Sequence, residues 1–227
     1  MKILYEDNHI LVAVKPAGLL SQGDITGDPD MLTLLKKYLK EKYNKPGNVF
    51  LGLVQRLDRR VGGLMVFART SKAAARLSEA IRERRFLKEY RALILGTMNP
   101  LAGELRHHLR KRELRGGAFA EIVSETDPEG QLAVLEYEVL KSKKIMGEIV
   151  SMVGINLITG RYNQIRAQFS AIGHPLLNDH KYHYRGKKFG EELGLACIRI
   201  SFPHPTKQEK LDFRYIPETG IWKHFKE

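Results

Sequence analysis

Residues 54–70, VQRLDRRVGGLMVFART, constrain the fold more than any other stretch of the chain. An apolar start gives way to one carboxylate among arginines: Asp58 has Arg56 on one side and Arg59 and Arg60 on the other. Two glycines and an apolar run follow. A carboxylate held among cations favours its ionised form. Paired glycines directly before a buried-type strand predict a tight turn or a close approach by something large. Two readings fit the arginines: a salt-bridged loop at a strand start, or a loop facing an anionic nucleotide backbone.

The rest of the composition favours the second class of partner. There are 38 Lys and Arg against 26 Asp and Glu, a formal charge of +12. That surplus argues for an anionic partner, nucleic acid before membrane. At 227 residues the chain can bury a real core, as one large domain or as two lobes around one cleft. The single Cys197 excludes an intrachain disulfide and a cysteine-cluster metal site, and its apolar setting, LACIRI, predicts a buried, inert thiol. No signal-peptide h-region opens the chain and no apolar run reaches membrane-spanning length, so a cytosolic protein without membrane association is expected.

Along the chain, MKILY and ILVAV flank the polar EDNH and read as paired strands, after which Lys15 to Gly18 turn the backbone. A helix capped by Asp30 should follow, with Met31, Leu34, Leu35, Tyr38 and Leu39 on one face. Gly63 to Ala68 reads as a strand. Thr70 or Ser71 caps a helix whose core stripe is Ala74, Leu77 and Ile81. Arg82, Arg84 and Arg85 are left for solvent or a ligand, and Phe86 to Leu95 forms the next strand, with Tyr90 in its middle. The basic run HHLRKRELRGG, within 100–117, shows no strand or helix period and reads as an irregular insertion suited to phosphate contacts through Arg110, Lys111 and Arg112. Segments 118–124, 131–140 and 148–158 alternate as antiparallel strands, with DPEG and SKKIMG as turns, a meander that favours an α+β fold. Arg161 to Gly173 reads as helical, with Ile165, Phe169 and Ile172 inward and Arg166 pointing away from them. His180 and His183 lie in a polar segment with Tyr182 and Tyr184. Without a metal-ligand spacing around them, these read as loop or RNA-facing side chains. Leu195 to Phe202 and Leu211 to Tyr215 close the chain as strands.

Taken together, ILYEDNHILVAVKPAG, QRLDRRVGGLMVFART, KEYRALILG, LITGRYNQIRAQFSAIGHPLLND and LACIRISFPHP resemble the ordered motifs of the RluA-type RNA pseudouridine synthases over nearly the whole chain. The resemblance implies the pseudouridine synthase catalytic fold, a mostly antiparallel central sheet with flanking helices and a cleft. It implies Asp58 as the catalytic carboxylate, Tyr90 as the active-site aromatic and Arg166 as the cation paired with Asp58. Arg56, Gln164, Ile165 and the pocket-wall residue Leu195 are expected at the substrate. Arg59, Arg60, Arg82, Arg84, Arg85, Arg110, Lys111 and Arg112 are expected at the RNA backbone. The family's optional S4-like RNA-binding domain is not expected, because the resemblance starts at residue 1.

The chain departs from the family pattern at several positions. Gln55 stands where His is usual, Val61-Gly62-Gly63 where Thr-Ser-Gly is usual, Tyr162-Asn163 where Thr-His is usual, and Ala196 where His is common. The implied reaction detaches uridine C1′ from N1 and rejoins it to C5, without redox change or phosphoryl transfer, so no metal and no organic cofactor is expected. The carboxylate could act at uracil C6 or at C1′. The expected partner is structured RNA, large-subunit ribosomal RNA with transfer RNA as the alternative, and a monomer needing no obligate protein partner. A non-catalytic RNA-binding or ribosome-assembly protein of the same fold is the rival from another class.

Overall fold

The computed structural model describes residues 2–114 and 117–225; Arg115 of the basic run lies outside them. The chain divides into two compact units, Met1–Lys88 with Cys197–Ile216, and Glu89–Ala196 with Pro217–Glu227.

In the first unit, β1 (Lys2–Glu6) and β2 (Ile10–Lys15) form the expected hairpin, and β2 pairs antiparallel with β4 (Gly62–Ala68). Every residue of β2 is buried, which its unbroken apolar run requires of an internal strand. The short β3 (Gly52–Leu53) also pairs with β4. The strand order is β1-β2-β4-β10, where β10 spans Leu195–Pro203 and carries β11 (Lys210–Arg214) antiparallel on it. Helix α1 (Met31–Lys42) starts where Asp30 accepts from the Thr33 amide at 2.9 Å, and it buries Met31, Leu35 and Leu39. Helix α2 (Ser71–Arg82) is capped by Thr70 and buries Ala73, Leu77 and Ala80. The inward stripe is thus rotated from the expected Ala74-Leu77-Ile81 to Ala73-Leu77-Ala80, and Ala74 faces Gly52 of β3, where a Cβ would stand 3.3 Å from its own. Gly63 answers what its glycine pair is for. It sits at φ +119°, and a Cβ there would stand 2.2 Å from the carbonyl oxygen of Cys197. The large thing that approaches is the chain's own strand β10.

In the second unit the order is β5 (Leu87–Leu95), β9 (Glu148–Leu157), β8 (Gln131–Ile145), β6 (Ala102–Leu114), β7 (Gly117–Val123), all antiparallel. The expected irregular insertion over 100–117 is instead strand β6, paired along its length first to β8 and then to β7. Likewise SKKIMG is no loop. β8 runs on to Ile145, and only Met146 and Gly147, both at positive φ, make the turn, as a two-residue hairpin requires. β7 ends the order, and its outer edge is closed by side chains: the Tyr182 hydroxyl accepts from the Ala120 amide at 2.8 Å.

Helix α3 (Gln164–Ala171) is buried at every position from Gln164 to Phe169, so Arg166 points inward, not away from the core as the Ile165, Phe169 and Ile172 face suggested. Gln168 donates to the carbonyls of Leu105 and Ala133, tying the helix to β6 and β8. Leu93 of β5 is a junction: its carbonyl accepts from the Leu177 amide and its amide donates to the Gly194 carbonyl. A Cβ on Gly194 would stand 2.8 Å from the Leu93 oxygen, so only glycine permits this approach. Tyr182 and Tyr184, expected in a polar loop, are both buried, whereas His180 and His183 are exposed.

Candidate active site

Asp58 heads a turn in the first unit. Its carbonyl accepts from the Val61 amide at 3.0 Å, and its Oδ1 accepts from the Arg60 amide at 2.9 Å. The side chain is half-buried. Segment 15–21 fixes the same turn from the other side. Ser21 Oγ donates to the Leu57 carbonyl at 2.7 Å and accepts from the Leu57 amide at 3.1 Å, and the Gly18 amide donates to the Arg59 carbonyl at 2.8 Å. Arg59 is used in the same way: its Nε donates to the Gly18 carbonyl, and its Nη1 pairs with Asp28 at 2.7 Å.

Lys15 is the buried cation of this unit. It is 0% exposed, and its Nζ donates to the carbonyls of Pro16, Leu19 and Arg59 at 3.1, 2.6 and 3.0 Å. Burial pushes its pKa down to about 8, Asp58 nearby works in the opposite direction, and Arg59 adds to the depression. A lysine whose three donors all meet main-chain oxygens acts as a rivet between segment 15–19 and the Asp58 turn.

The second unit holds Arg166. Its Nε and Nη2 donate to the two oxygens of Asp179 at 2.7 and 2.6 Å, in the bidentate geometry that fixes a guanidinium plane. The Tyr182 ring packs on the guanidinium, 4.8 Å from carbon to centroid, and Phe119 stacks on Tyr182 at 4.8 Å. Asp179 in turn follows Leu177, which is bonded to Leu93 of β5. Tyr90 lies three residues earlier on that strand, buried and opposite Ile155 of β9. Leu195, also buried, follows Gly194 at the same Leu93 junction. The second unit therefore builds Tyr90, Arg166 and Leu195 onto one framework centred on β5.

Other expected site residues have other uses. Gln164 is buried, its Oε1 accepts from the Thr159 hydroxyl and the Arg161 amide, and its Nε2 donates to the Val134 carbonyl; it pegs α3 to β8. Ile165 is buried in α3. Arg110 donates to Glu121 and, at 2.7 Å, to Asp127, Arg112 pairs with Glu121, Lys111 with Glu113 and Arg85 with Glu83. Among the described residues Arg56, Arg82 and Arg84 are exposed without such a carboxylate. No three His, Cys, Asp or Glu side chains among the described residues gather as metal ligands. Two residues of the site escaped the sequence reading, Lys15 and Asp179. The run VKPAG places a lysine at the end of an apolar strand, an unusual position for a charge and the one signal Lys15 gave. Asp179 gave none.

The sequence pattern of the RNA pseudouridylate synthase family matches residues 9–171, which include Asp58, Tyr90 and Arg166. The chain is 34% identical over 97% of its length to a ribosomal large subunit pseudouridine synthase D of Yersinia pestis, 65% of which it spans. It is 31% identical over 94% of its length to a dual-specificity RNA pseudouridine synthase RluA of Haemophilus influenzae, and spans 91% of that protein. An uncharacterised RNA pseudouridine synthase of Aquifex aeolicus is 30% identical over 96% of this chain and 70% of its own length. Among solved structures, human RNA pseudouridylate synthase domain containing 4 shares the fold, with a TM-score of 0.75 at 24% identity over 94% of this chain and 87% of that one. No helix among the described residues is long and apolar enough to cross a membrane. The chain belongs to the RluA-type RNA pseudouridine synthases, isomerases that convert uridine to pseudouridine in RNA.

Proposed function

We propose that the chain modifies uridine in large-subunit ribosomal RNA, with Asp58 as the catalytic carboxylate, Tyr90 as the aromatic that stacks on the uracil, and Arg166 as the catalytic cation. The carrying observation is the build of the Asp58 turn, whose main chain is held by Ser21, Gly18 and Lys15 while the carboxylate remains half-buried. A nucleophile or electrostatic partner needs this combination of fixed position and access. The relative from Yersinia pestis, named for the large ribosomal subunit, supports the choice of substrate.

In this reading the N1–C1′ bond breaks, the uracil turns within its pocket, and C5 bonds to C1′. The proton lost from C5 is balanced by one gained at N1. Asp58 supplies the carboxylate, which bonds either to C1′ as N1 leaves or to uracil C6, and that bond breaks again as the product forms; the apolar wall at Leu195 confines the turning ring. The target base leaves its stack to reach the site, at a cost of a few kcal/mol offset by phosphate contacts.

The test is tritium release from RNA labelled with 5-³H-uridine, run beside thermal unfolding of the same preparations. Asp58→Asn removes charge and little volume, so release should vanish while the unfolding midpoint holds. Full turnover by a well-folded Asp58→Asn chain would refute the assignment. Running labelled ribosomal and transfer RNA from cells lacking the gene in parallel decides the substrate.

A further inference from the structure

Tyr162 is a large aromatic that the fold leaves at the surface. The residue is 39% exposed although its neighbours Gln164 to Phe169 are all buried. Its orientation is nonetheless fixed, because its hydroxyl donates to the Ala118 carbonyl of β7 at 3.2 Å. Two ammonium groups from separate parts of the chain lie over the ring, Lys111 Nζ of β6 at 5.3 Å and Lys181 Nζ at 5.8 Å from its centroid. Lys181 also donates to the Ala118 carbonyl, so hairpin, lysine and tyrosine are tied at one atom.

The alternation of β6 explains why the cation here is Lys111. Successive side chains of a strand point to opposite faces. Arg110 and Arg112 therefore share one face, where Glu121 engages both, and Lys111 falls on the other, beside Tyr162. Lys111 shares its face with Glu113, its partner in an exposed ion pair, which contributes little and yields readily to a phosphate. The basic run thus splits into an internally paired face and a face that presents cations around an aromatic.

An exposed ring held through its hydroxyl, with two ammonium groups over it, has the parts of a single-stranded nucleic-acid subsite: a π-face that a base can take over from those cations, and the cations for the phosphates on either side. We infer that Tyr162 is a stacking platform for an unpaired nucleotide of the substrate RNA, with Lys111 and Lys181 taking the flanking phosphates. The inference rests on the RNA-modifying function proposed above and names a specificity contact for it. Tyr162 lies four residues before Arg166, on the segment that enters α3.

Fluorescence anisotropy with labelled hexauridylate and with a fully paired RNA duplex tests it on the full chain. Tyr162→Ala should weaken hexauridylate binding about tenfold, within the range of base–aromatic stacking, and leave duplex binding within about twofold. Tyr162→Phe keeps the ring and loses the bond to Ala118, and should stay within about threefold of the parent. The pair Lys111→Ala with Lys181→Ala should lower the salt slope for hexauridylate by about 1.4. Equal losses in Tyr162→Phe and Tyr162→Ala, equal losses on duplex and hexamer, or no loss at all would overturn the platform. Failure of the parent chain to bind hexauridylate overturns it too. If that parent still releases tritium from ribosomal RNA, the proposed function stands; if it releases none, both fall.

Discussion

Asp179 receives the Nε–H and an Nη2–H of Arg166, and neither side chain is more than 4% exposed. Removing one partner of a buried pair leaves a charge without compensation and costs about 3–5 kcal/mol, whereas replacing both with apolar groups can be nearly neutral. Asp179→Ala and Arg166→Met should each lower the unfolding midpoint by roughly 10 °C in a chain of this size. Both should cut tritium release, because Asp179 is what fixes the guanidinium plane. The double variant Arg166→Met with Asp179→Leu separates fold from chemistry: it should recover much of the midpoint and none of the turnover. A double variant that regained turnover would remove Arg166 from the mechanism.

Lys15 predicts a pH dependence whose sign is opposite to that of most lysines. Its folded pKa, about 8, lies below its usual 10.5, so the unfolded chain binds more protons between those values. Stability contributed by this group therefore rises as pH rises from about 8 to 10.5 and is flat below and above that window. Denaturant unfolding at pH 7.5 and pH 10 should show the parent gaining relative to Lys15→Met. The same variant strips a donor from the Pro16, Leu19 and Arg59 carbonyls, so it should reduce turnover more than RNA affinity. A pH response identical in both chains would mean that Lys15 is not buried in solution.

Which parts of this were legible in the sequence follows from the range of the forces involved. The caps Asp30 and Thr70 were readable because their acceptors serve amides three residues on, a fixed local offset. The β1–β2 hairpin was readable from two apolar runs around a polar break. Strand β6 was not. It is half solvated and carries its charges in cross-strand pairs such as Arg110 with Glu121, so its residues show polarity without alternation. The direction of Arg166 was hidden for a related reason: a helical period marks an inward stripe only when the other face meets water, and α3 is enclosed. Family resemblance located Asp58, Tyr90 and Arg166. It covered Asp179 and Lys15 without giving either a role, since the partner of Asp179 is 13 residues away and the partners of Lys15 are carbonyls that leave no side-chain signature.

Gly63 is the position where a single methyl group should do most damage. A Cβ would meet the Cys197 oxygen at 2.2 Å and its nitrogen at 2.6 Å, both main-chain atoms in β10 that cannot swing aside, and φ is +119°. Strain and overpacking together should cost Gly63→Ala about 3–4 kcal/mol. Differential scanning calorimetry should show a fall of roughly 10 °C. Gly117, also at positive φ but with open space around its Cβ position, supplies the control: Gly117→Ala should lose less. Comparable losses in the two would locate the effect in φ alone and not in the contact with β10.

The arginines separate into two groups that surface charge alone would treat as one. Arg110 is bound to Glu121 and Asp127, and Arg112 to Glu121, so each already has an anion and a phosphate would have to displace it. Arg82, at the end of α2, and Arg84, at φ +57° just beyond it, are exposed and unpaired among the described residues. A cation without a partner gains the most from a phosphate and contributes most to counterion release. Arg82→Gln with Arg84→Gln should therefore reduce the salt slope of RNA binding by about one per arginine, roughly uniformly across RNA sequences. Arg110→Gln should change that slope little, and should instead lower the unfolding midpoint, because Glu121 and Asp127 lose their shared partner. The measurement is RNA affinity across a salt series for the three chains, with thermal unfolding of each. A larger slope change in Arg110→Gln than in the Arg82 and Arg84 pair would mean that RNA opens the Arg110 network on binding, and would return Arg110 to the backbone interface.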